Sequence, residues 1–331
     1  MSSITEGLWR PPQHRNTPVE FSGTRGELFG RLLRGYLLMV PTLGLYRFWL
    51  TTAKRRFYWQ NTIIGQDRLE YTGTAAQLLA GFLIAVGVFL PIYLVFFYLS
   101  FQSSTVALVG YGAAALLLWF LTGYAVYRGR DFRLSRTMWR GIRLDQKGSA
   151  MGYAVRRFLW SLLVLCTAGL AFPFMAGDLW RYRYTNTWFG DRQFSFTGSW
   201  KTVAWPFYRA WLVLALSVGL AVGMLAANIG TFAPLLVIAV AGLCFLYYRS
   251  RETSLMFSEV RLGEATLRVE VKARSLLGQY LLYGLCLVAA LIVIGVIGFA
   301  VTQAFSANFR GGDFSPASIA RAGWVGVGLA V

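Results

Sequence analysis

The chain is short of charge, of histidine and of cysteine. Only 14% of its 331 residues are charged, and His14 is its single histidine. A soluble globular domain carries about 25% charged residues, so this chain lacks the means to cover an ordinary water-facing surface. Zinc sites and histidine-based proton transfer draw on several histidines or cysteines, so no metal and no other cofactor is assigned. Cys166, Cys244 and Cys286 lie within apolar stretches without metal or redox spacing, which makes them small hydrophobes. The polar segments show no nucleophile with a matching base. No catalytic residue is assigned, and the chain is not expected to be an enzyme.

What is present is apolar sequence and positive charge. Hydrophobic residues make up 56% of the chain, and its mean hydropathy is +0.51. Residues 71–127, 210–248 and 275–308 contain no Asp, Glu, Lys or Arg. About 20 apolar residues cross a bilayer core, so the first two windows each predict a two-helix hairpin and the third a single tilted crossing. Lys and Arg number 32 against 14 Asp and Glu, a formal charge of +18. The excess collects at 51–68, 128–157, 178–201 and 249–274, whereas the turns near 100–105 and 228–234 are uncharged. Cytoplasmic loops collect Lys and Arg, so the basic segments are expected inside and the two turns outside. That rule accounts for the charge without a nucleic-acid partner. Residues 1–18, with Pro11, Pro12 and Pro18, read as a flexible polar tail without a signal peptide.

Residues 21–74 recur. Displaced by 125 positions, residues 23–74 lie on 148–199 without a gap, and 13 of the 52 positions are identical. Unrelated chains of this composition give roughly three or four. The identities fall at turns. Thr42, Gly44 and Leu45 meet Thr167, Gly169 and Leu170. Asn61, Thr62 and Gly65 meet Asn186, Thr187 and Gly190. Thr72 and Gly73 meet Thr197 and Gly198. Arg31 meets Arg156, and Arg56 meets Arg181.

Residues 19–24, 69–74 and 194–199 alternate apolar and polar, then reach Gly followed by Thr or Ser. This predicts half-buried strands that feed capped helices, and Thr24 with Glu27 has capping-box spacing. Fainter copies stand at 142–149 and 266–275, and several such strands on one side of the membrane pair into a small sheet. A helix over 27–40 meets Pro41, Thr42, Leu43 and Gly44, which break it, and a second runs from Leu45 to about Asn61. The uncharged run between Arg34 and Arg47 is only 12 residues. The second copy is interrupted by Gly169 and Pro173. Both segments either cross or dip in and return, and the charge pattern favours return.

The expected fold is therefore an all-α polytopic membrane protein with internal repeats, long helical hairpins, Pro/Gly-broken re-entrant helices and short cytoplasmic β-strands. Its parts are a tail (1–18), a first repeat (19–74), a hairpin (75–127), a basic segment (128–147), a second repeat (148–199), a hairpin (200–248), a basic segment (249–274), a degenerate third repeat forming one transmembrane helix (275–305) and a tail (306–331).

These motifs carry a resemblance. TLGLYRFW from Thr42, KRRFYWQNT from Lys54, Gly65 and RLEYTGT from Arg68 resemble the YjgN-like family of bacterial inner-membrane proteins, known mainly as a domain of unknown function. The resemblance covers roughly 21–305. The family often has Pro-Trp after the turn. Here the first copy has Phe48-Trp49 and the second Pro173-Phe174. The resemblance implies a multi-pass protein of the bacterial inner membrane and no reaction.

Arg47 stands beside the first turn, where an ionisable residue at membrane depth is a functional candidate, although snorkelling also accounts for it. Lys54, Arg55 and Arg56 with Arg181 and Arg183 follow the two turns at matching distances. They are candidate sites for anionic lipid, the alternative being a positive-inside anchor. Pro41, Thr42, Gly44, Thr167, Gly169, Gly73 and Gly198 are candidate structural turns. Trp49, Trp59, Trp160, Trp180 and Trp188 read as an aromatic belt. Of the remaining polar residues, Glu27 and Asp178 face Gly152 and Ala53 at the matching positions. Two functions follow. Repeats and broken helices suit transport of a small solute or lipid, which is slightly preferred. The other is a non-catalytic envelope protein that binds anionic lipid or a protein partner through a basic cytoplasmic face.

Overall fold

The computed structural model describes residues 19–99, 101, 104–228 and 233–309. His14, the tail expected at 1–18, most of the tail expected at 306–331 and the turns expected at 100–105 and 228–234 fall wholly or partly outside these residues. The chain divides into two compact units. One holds the residues up to 205 with 255–268, and the other holds 206–254 with those from 269 on.

In the first unit, strand β1 (Val19–Phe21) leads into helices α1 (Arg25–Met39) and α2 (Arg47–Gln60) and then to β2 (Thr62–Ile64). Next come β3 (Asp67–Tyr71), α3 (Ala75–Leu99), α4 (Ser104–Leu134) and β4 (Thr137–Trp139). β5 (Ile142–Gln146), α5 (Ala150–Cys166), α6 (Phe172–Thr185) and β6 (Thr187–Phe189) follow, then β7 (Arg192–Phe196). Helices α7 (Trp200–Ala226) and α8 (Ala233–Ser258) join β7 to β8 (Val260–Leu262), and β9 (Ala265–Thr266) precedes α9 (Ala273–Phe309).

The strands make one antiparallel sheet in chain order, β1 to β9. The strand before each helix pair is bonded to the strand after it: Glu20 pairs with Ile63, Glu70 with Met138, Asp145 with Trp188 and Ser195 with Arg261. Every helix pair therefore leaves the sheet and returns to it. Two-residue turns join successive pairs. Arg140 and Gly141 both take positive φ, as a type I′ turn requires, and Gly65, Gly190 and Gly263 take positive φ at the first loop position, as in type II′.

The all-α expectation needs correction on this point. The chain is mostly helical, yet it carries a nine-stranded sheet. Strands expected from alternation appear as β1, β3, β5 and β7, and the one expected at 266–271 is reduced to Ala265–Thr266. β2, β4, β6 and β8 were not expected. Each has three residues and, unlike the equally short β1, is not followed by the Gly-Thr or Gly-Ser phrase that extended the pattern there.

Five helices, α3, α4, α7, α8 and α9, are long and apolar enough to cross a membrane, the number read from the three uncharged windows. Their apolar stretches are almost bare: none of the window within α3 or α9 is buried by the rest of the chain. The first unit has its core where α4, α5 and α6 meet, around Tyr127, Tyr153 and Leu179. The Tyr127 hydroxyl donates to the Lys147 carbonyl at 2.5 Å and that of Tyr182 to Ser149 at 2.9 Å, which ties the helices to the end of β5. In the second unit, α7 and α8 meet edge to face at Phe207 and Tyr248, with ring centroids 5.3 Å apart.

Candidate functional site

Thr42 and Thr167 have the same role at the two helix breaks. The Thr42 hydroxyl donates to the Leu38 carbonyl at 2.6 Å and accepts from the Tyr46 N–H at 3.2 Å. That of Thr167 donates to Leu163 at 2.8 Å and accepts from Ala171 at 3.1 Å. One hydroxyl thus closes the last turn of one helix and caps the first turn of the next, where backbone groups otherwise stay unpaired. The following residues take positive φ: +48° at Leu43 and +84° at Gly44, +49° at Ala168 and +93° at Gly169. Gly44 N–H then bonds Met39 at 2.8 Å, and Gly169 N–H bonds Val164 at 2.7 Å, the left-handed helix ending that glycine favours. Pro41 follows the last residue of this helix end, Val40. The tips are apolar and bare, with Leu43 94% and Val40 77% exposed.

The opposite ends of these helices carry the arginines. Arg56 donates to the Gly73 carbonyl at 3.2 Å, and Arg181 to the Gly198 carbonyl at 3.2 Å. Arg31 lies over the Phe57 ring and Arg156 over the Tyr182 ring, each at 5.1 Å. A side chain at Gly73 would meet the Tyr71 ring at 2.6 Å, and one at Gly198 the Phe196 ring at 2.6 Å. Each aromatic ring folds back over its glycine, so any larger residue there would have to push the ring aside. Arg55 donates to the Tyr71 hydroxyl at 2.9 Å. Arg183 donates to the Leu179 carbonyl at 3.2 Å and lies over Trp180. Among the described residues Lys54 has no hydrogen bond or ion pair. Arg47 stands apart, about 13 Å along the helix from Arg56, with its guanidinium over Phe82 at 4.4 Å and Phe48 at 4.8 Å.

The matching segments differ beside Arg31 and Arg156. Arg156 pairs with Asp178 at 3.5 Å, and Asp178 also accepts from the Trp160 indole at 2.9 Å. Trp200, at the start of α7, stacks on Phe174 of α6 with centroids 4.5 Å apart. In the first segment Ala53 replaces Asp178 and Ala75 replaces Trp200. What remains is an open groove of about 600 Å³ lined by Arg31, Trp49, Thr52, Arg56, Thr74 and Ala75. Neither Arg31 nor Arg56 has a carboxylate partner among the described residues.

The structure thus sets Arg55 and Arg56, and likewise Arg181 and Arg183, at helix–sheet junctions. It adds Arg31, whose only sequence signal was its match with Arg156. Not all the tryptophans form a belt. Trp180 is buried and meets Phe257 edge to face at 5.0 Å, while Trp59 donates to the Thr137 hydroxyl at 2.9 Å.

Five helices long and apolar enough to cross a membrane describe a membrane-embedded protein. Residues 16–310 match the family described as bacterial protein of unknown function (DUF898), and the chain belongs to that family. The resemblance to the YjgN-like family agrees with this. No curated protein and no solved structure matches the chain.

Proposed function

We propose that this is a multi-pass protein of the bacterial inner membrane, built from repeats, whose basic face binds anionic lipid on the cytoplasmic side. The observation that carries the reading is the groove of Arg31 and Arg56, two cations around about 600 Å³ without a carboxylate. A phosphate headgroup supplies the missing charge, and Trp49 and Ala75 offer apolar surface to its chains. Each basic residue near an anionic membrane surface contributes about 1 kcal/mol.

Helix lengths support re-entry of the two Thr-x-Gly-Leu pairs. α1 has 15 residues and α2 has 14, which is about 22 Å each, short of the roughly 30 Å hydrocarbon core. The pair begins at β1 and ends at β2, which are bonded to each other, and its bare apolar tip suits lipid. Transport, the slightly preferred expectation from the sequence, gains less support, because the cavity between the long helices α7 and α8, of about 240 Å³, has Arg209 as the one charged residue in its lining. Native mass spectrometry of the gently extracted protein tests the choice. Retained phosphatidylglycerol or cardiolipin supports lipid binding. A retained soluble metabolite without lipid supports transport and contradicts it.

A further inference from the structure

A second cavity, of about 280 Å³, lies where α2, α4 and α6 meet the sheet, lined by Trp59, Arg130, Arg133, Thr137, Tyr184 and Thr187 among others. Its polar groups are almost all donors. The Thr137 hydroxyl already donates to the Arg133 carbonyl at 2.8 Å and accepts from Trp59, and the Thr187 hydroxyl donates to Arg183 at 2.7 Å and accepts from Arg130 Nη2 at 3.3 Å. Arg130 lies over the Tyr184 ring at 4.4 Å, and its Nη1 is completely buried without a hydrogen-bond partner. The Arg133 guanidinium has no hydrogen bond or ion pair among the described residues.

The surrounding charges make this worse. The charged side chain that bears on Arg130 is Arg183, and the one that bears on Arg133 is Arg55. Asp131, the nearest acid in sequence, is turned to Arg128 at 2.9 Å. Burial raises the Tyr184 phenol above its ordinary value, with Arg130 and Arg183 pulling the other way, so it stays neutral and cannot serve as counter-ion. A buried cationic nitrogen without a partner, as at Arg130 Nη1, is unfavourable, and with the more exposed Arg133 it faces a cavity whose lining has two arginines and no carboxylate, which calls for an anion.

We propose that this cavity binds a phosphate group, free or as a lipid headgroup, between the guanidinium groups of Arg130 and Arg133. Two planar donor forks suit a tetrahedral oxyanion better than a halide. The site is independent of lipid binding at Arg31 and Arg56.

The test is thermal unfolding of the detergent-solubilised protein with inorganic phosphate, glycerol 3-phosphate or dioctanoyl phosphatidate, each against chloride at equal ionic strength. The expected result is a saturable rise in Tm with at least one probe. A response to inorganic phosphate identifies free phosphate, and a response to phosphatidate alone identifies a headgroup. Arg133→Gln should weaken the response about tenfold or more without lowering the ligand-free Tm, because it removes a like charge and no hydrogen bond. Arg130→Lys, which keeps the charge but loses the fork, should also bind about tenfold more weakly. The Arg31→Gln/Arg56→Gln variant should respond as the unchanged protein does. No saturable response to any probe, an equal response in Arg133→Gln and Arg130→Lys, or loss of response only in the Arg31/Arg56 variant would overturn the assignment.

Discussion

Arg156 reaches Asp178 at 3.5 Å, while Arg31, 125 positions earlier, has Ala53 where that carboxylate would stand. The two arginines are alike in other respects, each over an aromatic ring at 5.1 Å. One is neutralised by the chain, and the other is left for something else to neutralise.

This difference can be reversed. Ala53→Asp should pair with Arg31 as Asp178 pairs with Arg156. A partly exposed ion pair contributes only about 0–1 kcal/mol, so Tm should change little. Anionic lipid retained by the purified protein should fall about fivefold for the loss of one effective charge. Unchanged retention would show that Arg31 does not hold lipid.

The turns are the next point of attack. Gly44 at +84° and Gly169 at +93° occupy a conformation that a β-branched residue tolerates poorly, at a cost of about 1–3 kcal/mol. Gly44→Val and Gly169→Val should each lower Tm or yield. Thr42→Val and Thr167→Val should do so as well, since each removes a hydroxyl that serves two helix ends, at about 1–3 kcal/mol for the groups left unpaired. Wild-type Tm in all four variants would mean that the breaks do not organise the fold.

Sidedness follows from the sheet. Because each helix pair returns to the strand beside the one it left, the hairpin loops at Arg140, Asp191 and Glu264 should lie on one face of the membrane. Single cysteines at these positions, in a chain lacking Cys166, Cys244 and Cys286, should resist an impermeant thiol reagent in intact cells and react after lysis. Labelling of any of them in intact cells would contradict the cytoplasmic assignment.

Much of this was legible in the sequence, and the exceptions have physical causes. Uncharged windows revealed the five long helices because charge is excluded from a bilayer core whatever the packing. The Thr-x-Gly-Leu breaks were legible because local backbone geometry demands those residues. Four of the nine strands were not, since segments such as Thr137–Trp139 lack the Gly-Thr or Gly-Ser ending that marked β1, β3, β5 and β7, and their pairing depends on partners far along the chain. Arg130 and Arg133 were overlooked for a different reason. They were read as part of a basic loop, yet α4 continues to Leu134, and the spacing of three then puts both on one helical face. Asp178 was noticed as an acid without a repeat mate, but its partners Arg156 and Trp160 could not be read from spacing alone.

The claim at the centre of this account is that the groove of Arg31 and Arg56 holds anionic lipid. Phosphatidylglycerol and cardiolipin retained per protein should be quantified for the wild type and for Arg31→Gln/Arg56→Gln, extracted in parallel at low salt and at 1 M salt. At 1 M the Debye length falls to about 3 Å, so exposed pairing is screened. The account predicts clear retention by the wild type at low salt, a marked loss in the variant, and convergence of the two at 1 M. Equal retention by both proteins at low salt would contradict it.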